Sequence, residues 1–249
     1  MAGKSRLVAE ITREFKAAAD PKYRESVQRF FKEPVDLHGV RTPVFREIAQ
    51  ATYARVRELP KSKVFALAEE FLKDGRMEEV GIAFNWAWRL RRQFEPSDFR
   101  IFERWLKKYV NNWGACDSFC CRALGEFMLL YPQFLPKVKA WTGSKNRWVR
   151  RASAVALILA VRKEKYLEEA FETADRLLQD DDDMVQKGYG WLLKEISNRR
   201  PKATFDFVMK RKATMPRTAL RYAIEKLPPA WKKRAMARQQ TRLSFLPVG

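Results

Sequence analysis

Apolar residues recur at intervals of three and four along nearly the whole chain, and that spacing leaves little room for anything but helices. Val8, Ile11, Phe15 and Ala18 follow it, as do Phe65, Ala68 and Leu72, then Val80, Phe84 and Trp88. Side chains so placed share one face of a 3.6-residue turn. Strand-like alternation is absent. The breaks fall at helix-start signals: Asp20-Pro21, Thr42-Pro43, Pro60, Pro96-Ser97, Pro132, Pro201, Met215-Pro216 and Pro228-Pro229. Proline suits a first helical turn because its missing N–H has no partner there in any case. The acidic run Asp180 to Asp183 reads as a helix N-terminus, where negative charge suits the dipole. The expected class is all-α.

A repeat lies beneath the helices. Starts near Met77, Asp117, Val149, Val185 and Pro216 are separated by roughly 30 to 40 residues, the period of stacked helix pairs. Arg151-Ala152-Ser153-Ala154-Val155, Lys187-Gly188-Tyr189-Gly190-Trp191 and Arg217-Thr218-Ala219-Leu220-Arg221 read as equivalent second helices. Each opens with a base and continues with small residues that allow close packing. Stacked pairs form a solenoid whose second helices line a concave face, and Arg151, Lys187 and Arg217 would form a basic ladder along it. One repeat domain is expected over residues 1–229, with a basic tail over 230–249.

Charge narrows the partner. The chain has 249 residues and a formal charge of +20. Residues 198–249 carry fourteen Lys/Arg against only Asp206 and Glu225, so +12 of that excess sits in the last fifth. Within the tail, Lys232, Lys233, Arg234, Arg238 and Arg242 meet no acid. A curved basic trough suits a nucleic-acid duplex, since each neutralised phosphate releases counterions. The tail lacks the sustained apolar face a membrane surface would need, and the longest apolar run, Ala154 to Val161, is far short of a span. No signal-peptide pattern opens the chain, and Cys116, Cys120 and Cys121 make no disulfide framework, so a cytoplasmic monomer is expected.

Composition also removes chemistries. His38 is the one histidine, which excludes histidine triads and multi-histidine metal sites. The ten glycines form no nucleotide cradle, and no cofactor is expected. Taken singly, the remaining candidates read plainly. Asp117 is an N-cap, Trp113 and Trp191 are core aromatics, and Arg151 is a phosphate contact or a solvated base. The three cysteines are small buried hydrophobes on one helix.

Together these residues carry a resemblance. Trp113 stands four residues before Asp117-Ser118; Trp148-Val149-Arg150-Arg151-Ala152 and Gln186-Lys187-Gly188-Tyr189-Gly190-Trp191 come after it. From about Phe30 to Tyr222 the chain resembles the AlkD family of bacterial DNA glycosylases, which have a HEAT-like repeat fold and remove alkylated bases. The resemblance implies Asp117, Trp113, Arg151 and Trp191 at the catalytic centre. DNA contacts are expected from Phe30, Arg147, Arg150, Lys187 and Arg217, and the resemblance implies double-stranded DNA carrying N3- or N7-alkylated purines as substrate. It implies further that the damaged base stays stacked, so that bulky adducts are tolerated. The chain departs from the family's characterised member in three places. Phe30 stands for a tyrosine, Asn112 for a second tryptophan, and Asp183-Met184 for an aromatic pair.

Such chemistry suits a chain almost without histidine. A purine alkylated at N3 or N7 is already cationic and leaves neutral, without a general acid. Positive charge develops on the deoxyribose instead, where a carboxylate stabilises it. Three other readings stay open: a non-catalytic helical-repeat reader of DNA or RNA, a scaffold for acidic proteins, and a bifunctional lyase with a lysine nucleophile.

Overall fold

Capping chemistry decides where the helices begin. The computed structural model describes residues 5–237, and its first helices are α1 (Arg6–Ala17), α2 (Pro21–Gln28), α3 (Thr42–Ala54), α4 (Lys61–Asp74), α5 (Met77–Arg89) and α6 (Asp98–Tyr109). Next come α7 (Trp113–Phe119), a π-helical turn (Cys120–Leu124), α8 (Gly125–Leu130), α9 (Leu135–Ala140), α10 (Arg147–Val155), α11 (Ile158–Arg162) and α12 (Leu167–Arg176). The last are α13 (Asp183–Ser197), α14 (Pro201–Arg211), α15 (Arg217–Ala223) and α16 (Pro229–Met236). No strand occurs among the described residues. The prolines act as read, except Pro132, which opens a short 3₁₀ turn. Gly75 ends α4 in the left-handed conformation at φ 83°, which its lack of a Cβ permits.

Two expected starts shift for a physical reason. Asn112, not Asp117, caps α7: its side chain accepts a hydrogen bond from the Ala115 N–H at 2.9 Å. Asp117 therefore sits in the second turn, with its carboxylate released from capping. Asn146 likewise caps α10 three residues before Val149, through the Trp148 N–H at 2.9 Å. The acidic run does lie at a helix start. Asp182 caps α13 by accepting from the Met184 N–H at 2.8 Å.

The helices stack in two layers. In the inner layer α3 packs on α5, α5 on α7, α7 on α10, α10 on α13 and α13 on α15. In the outer layer α4 packs on α6, α9 on α12 and α14 on α16. Between the layers lies an aromatic core. Trp86, Phe102, Trp105, Phe119 and Phe127 are fully buried, with Phe84 against Phe119 at 4.5 Å and Phe102 against Phe119 at 5.5 Å between ring centres. Small residues set the inner spacing. A Cβ on Gly190 would stand 2.7 Å from the Cβ of Tyr222 and 3.0 Å from the Ala219 carbonyl, so α13 and α15 approach this closely only with glycine there.

The basic ladder keeps two of its three rungs. Arg151 and Lys187 are each the fifth residue of their helix, whereas Arg217 is the first of α15. Its guanidinium donates to the Met236 carbonyl of α16 instead of joining the other two. The basic tail also starts inside folded structure. Lys232, Lys233 and Arg234 lie on α16, where Trp231 stacks on Phe205 at 4.8 Å. Arg238 and Arg242 lie outside the described residues.

Candidate active site

The inner helices present a cleft of about 310 Å³ lined by Trp113 and Asp117 from α7, Arg151 from α10, and Met184, Lys187, Trp191 and Lys194 from α13. Phe30 from the loop after α2 and Tyr222 from α15 complete it. Residues far apart in sequence thus converge because their helices are stacked neighbours. All four residues of the expected catalytic centre line this one cleft.

Asp117 and Arg151 form its floor. Arg151 Nε donates to Asp117 Oδ1 at 2.9 Å and Nη2 donates to Oδ2 at 2.8 Å, a two-pronged pair. The arginine side chain is only 6% exposed and the aspartate 18%, so one partner faces the core and the other the opening. Nη1 of Arg151 donates to the Met184 carbonyl. Burial disfavours the guanidinium charge, but the hydrogen bonds and charge of Asp117 outweigh it and raise the Arg151 pKa above its ordinary value. Arg151 stays a cation and has a carboxylate, not a phosphate, across from its fork. Gly188 makes room for it, since a Cβ there would lie 3.0 Å from Arg151 Cγ.

The two tryptophans are held rather than merely packed. Both are half-buried, against the expectation of core aromatics. Trp113 stacks on Phe31 with ring centres 4.8 Å apart, and its indole N–H donates to the Phe30 carbonyl at 3.4 Å. Trp191 Nε1 donates to Glu195 Oε1 at 2.8 Å. Glu195 in turn accepts from Arg162 at 2.8 and 3.1 Å, and the Arg162 guanidinium sits 6.0 Å from the Trp191 ring centre. Burial works against the Glu195 charge, yet the bonds from Arg162 and Trp191 prevail and hold its carboxyl below the usual range. An anionic acceptor on the indole N–H fixes the ring plane and enriches its face toward a cation. Glu195→Gln keeps an acceptor but drops the charge. The expected result is a shift in Trp191 fluorescence and a roughly three- to tenfold loss of activity on DNA, the scale of about 1 kcal/mol of cation–π interaction. Unchanged fluorescence and activity together would remove Glu195 from any role.

The expected DNA contacts fare unevenly. Phe30 is 73% exposed at the cleft rim. Arg147 pairs with Glu33 and Asp182, Arg150 with Asp180 at 2.6 Å, and Lys187 with Asp183 at 3.0 Å. Lys32 also reaches Asp183, at 2.6 Å. The acidic run thus neutralises much of the charge assigned to phosphates. At the three departures from the family pattern, Asn112 acts through its side chain, whereas Phe30 and Met184 bond to the site through backbone. Asn112 is the cap of α7, Met184 offers Arg151 its backbone carbonyl, and Phe30 offers Trp113 its own. A carbonyl serves whatever the side chain.

The other sequence features stand apart from the cleft. His38 is buried, with Nε2 2.8 Å from Glu79 Oε1. Cys116 and Cys120 are buried with sulfurs 3.9 Å apart, and burial pushes the Cys120 thiol far up. No three metal-ligating side chains gather among the described residues. No helix among them is long and apolar enough to cross a membrane. Sequence reasoning missed Phe31, Glu195, Arg162 and Tyr222. Of these only Glu195 left a trace, its i, i+4 spacing from Trp191.

A family model described as DNA alkylation repair enzyme matches residues 11–227. A solved structure described as a predicted DNA alkylation repair enzyme from Enterococcus faecalis matches with a TM-score of 0.76 and 16% identity, over 85% of this chain and 97% of its own. AlkD2 from Streptococcus mutans matches with a TM-score of 0.60 and 18% identity, over 89% and 99%. No curated protein matches. At such identities the structural likeness speaks for the fold, an AlkD-type helical repeat. The family-model match takes in Phe30, Asp117, Arg151, Trp191 and Tyr222 along with the helices that carry them, and by that match the chain belongs to the DNA alkylation repair enzyme family.

Proposed function

We propose that the chain is a monofunctional DNA glycosylase that hydrolyses the N-glycosidic bond of cationic N3- or N7-alkylated purines in duplex DNA. The observation that carries this reading is a partly exposed carboxylate, Asp117, fixed by a buried arginine in a cleft that Trp113 and Trp191 also line. As the bond between C1′ and the base nitrogen stretches, its electron pair leaves with the base and cancels the base's formal charge. The sugar becomes oxocarbenium-like. Arg151 occupies one lone pair on each Asp117 oxygen and leaves the others for the sugar and a water. Water oxygen then bonds to C1′, and its proton passes to the carboxylate or to solvent. Trp113 and Trp191 face the developing cation, each interaction being worth about 0.5–2 kcal/mol. The base is reached from the backbone side and stays stacked, with no cofactor.

The residues lining the cleft include no histidine and no carboxyl group besides Asp117, and Lys187 and Lys194 are tied to Asp183 and Glu225, so selectivity should track lesion charge. Duplex DNA with one 7-methylguanine should release its base without added metal, whereas a neutral lesion such as uracil should be released at least about a hundredfold more slowly. Equal rates would remove the mechanism. One observation favours a second reading. An Asp–Arg pair closed in this way also serves as a purely structural tie, so a non-catalytic DNA reader is the alternative. It would bind duplex DNA with a steep salt dependence and release nothing.

A further inference from the structure

The arginines on the expected DNA contacts are largely paired with acids, but another set is not. On the N-terminal side of α7 the inner helices form a second groove of about 390 Å³, into which Arg46 of α3, Arg89 of α5 and Arg122 of the π-helical turn project. No carboxylate among the described residues lines it. Neutral groups hold two of the three arginines in place. Arg89 donates to Asn85 Oδ1 at 2.8 Å and lies over the Tyr53 ring at 4.9 Å. The Arg122 guanidinium lies over the Trp88 ring at 5.5 Å. Arg147 and Arg150 of the expected DNA contacts meet carboxylates, whereas the three guanidinium groups of this groove have no carboxylate lining beside them among the described residues. Packing aromatic and amide groups around Arg89 and Arg122 leaves those two charges available to a ligand at little cost in side-chain ordering.

The groove also adjoins the cleft. Ser118, next to Asp117, lines it, and Arg122 stands one turn later, about 6 Å along the axis. That is close to two base-pair rises of about 3.4 Å. The π turn contributes directly, because its extra residue per turn rotates Arg122 and α8 relative to α7. We propose that this groove is a second anchor for the DNA backbone, with Arg46, Arg89 and Arg122 holding phosphates that flank the lesion while the cleft works on the damaged nucleotide. The inference rests on DNA being the substrate of the adjoining cleft. It moves the electrostatic grip from α10 and α13, where acids compete, to α3, α5 and the π turn.

The test is the salt dependence of binding to an undamaged 20-base-pair duplex, read by fluorescence anisotropy. The parent is compared with R46Q/R89Q/R122Q and with R100Q/K163Q/K210Q, which removes equal charge outside the groove. Each lost phosphate contact should flatten the log–log slope by about 0.9, so the groove variant should lose about 2–3 units. The control should lose less than about one. Equal losses in both, or none in the groove variant, overturn the proposal. Should the half-buried Arg89 prove necessary for folding, R46Q/R122Q carries the test with an expected loss of about 2 units. Base release by the parent is scored on 7-methylguanine duplex in parallel. No release with a flattened slope removes the glycosylase and keeps the groove; release with an unchanged slope does the reverse.

Discussion

Asp117→Asn should abolish most release of 7-methylguanine while leaving the binding of undamaged duplex DNA within about threefold. The substitution keeps the side chain's shape and removes its charge, so it subtracts the interaction that grows as the sugar becomes cationic. Losing one preorganised electrostatic partner of a transition state costs about 10²–10³ in rate, and a direct carboxylate–cation partner belongs at the upper end of that scale or beyond. The amide also turns one donor toward the Arg151 fork, where Asp117 Oδ1 and Oδ2 both accept, so a hydrogen bond is lost and about 1–3 kcal/mol of stability with it. Excision, duplex affinity and thermal unfolding measured on one preparation separate these effects. Excision at the parental rate would take Asp117 out of the chemistry.

Arg151→Met carries the second large effect, and here stability leads. Methionine approximates the arginine stem in length but leaves the Asp117 carboxylate without its cation and the Met184 carbonyl without its donor. Breaking a fully buried pair costs about 3–5 kcal/mol. With Asp117 still 18% exposed, water recovers part of that, and a loss of about 2–4 kcal/mol is expected. In a chain of this size that lowers Tm by roughly 5–15 °C. Excision should fall alongside, because a carboxylate without its anchor no longer holds one position. The double variant Asp117→Leu/Arg151→Met then distinguishes structure from function. An apolar pair should recover much of the stability with no recovery of excision. A single Arg151→Met variant that melts with the parent would show the pair to be worth little.

These effects concentrate where folding brings two separate helix segments into register. The charged groups of the cleft are few, and each is already engaged: Arg151 by Asp117, Lys187 by Asp183, Lys194 by Glu225. Behind Trp191, Glu195 is engaged in the same way by Arg162. A site in this state is preorganised, with little rearrangement left for the proposed reaction. By the same closure, removing one partner is expected to disturb both stability and the proposed base release.

The all-helical class and the helix-pair period were legible in local signals, whereas Trp113, Asp117, Arg151 and Trp191 were brought together only by the family resemblance and read singly as a cap, core aromatics and a phosphate contact. Helical periodicity and proline starts are local signals, and the Trp113–Asp117 spacing of one helical turn is set by α7 alone. What the local signals missed turns on competition between neighbours. Asn112 displaces Asp117 from the cap, and the register of α15 turns Arg217 toward α16. Asp180, Asp182 and Asp183, read as dipole partners of α13, also take Arg150, Arg147 and Lys187. Net charge counts bases but cannot say which of them an acid will neutralise, because that depends on helices that meet only when stacked. Arg46, Arg89 and Arg122 carry no motif, and their shared groove exists only because α3, α5 and the π turn lie side by side. Composition and spacing determined what this chain folds into; packing between its helices decided which residues share the cleft, which charges are spent inside the protein and which remain for a partner.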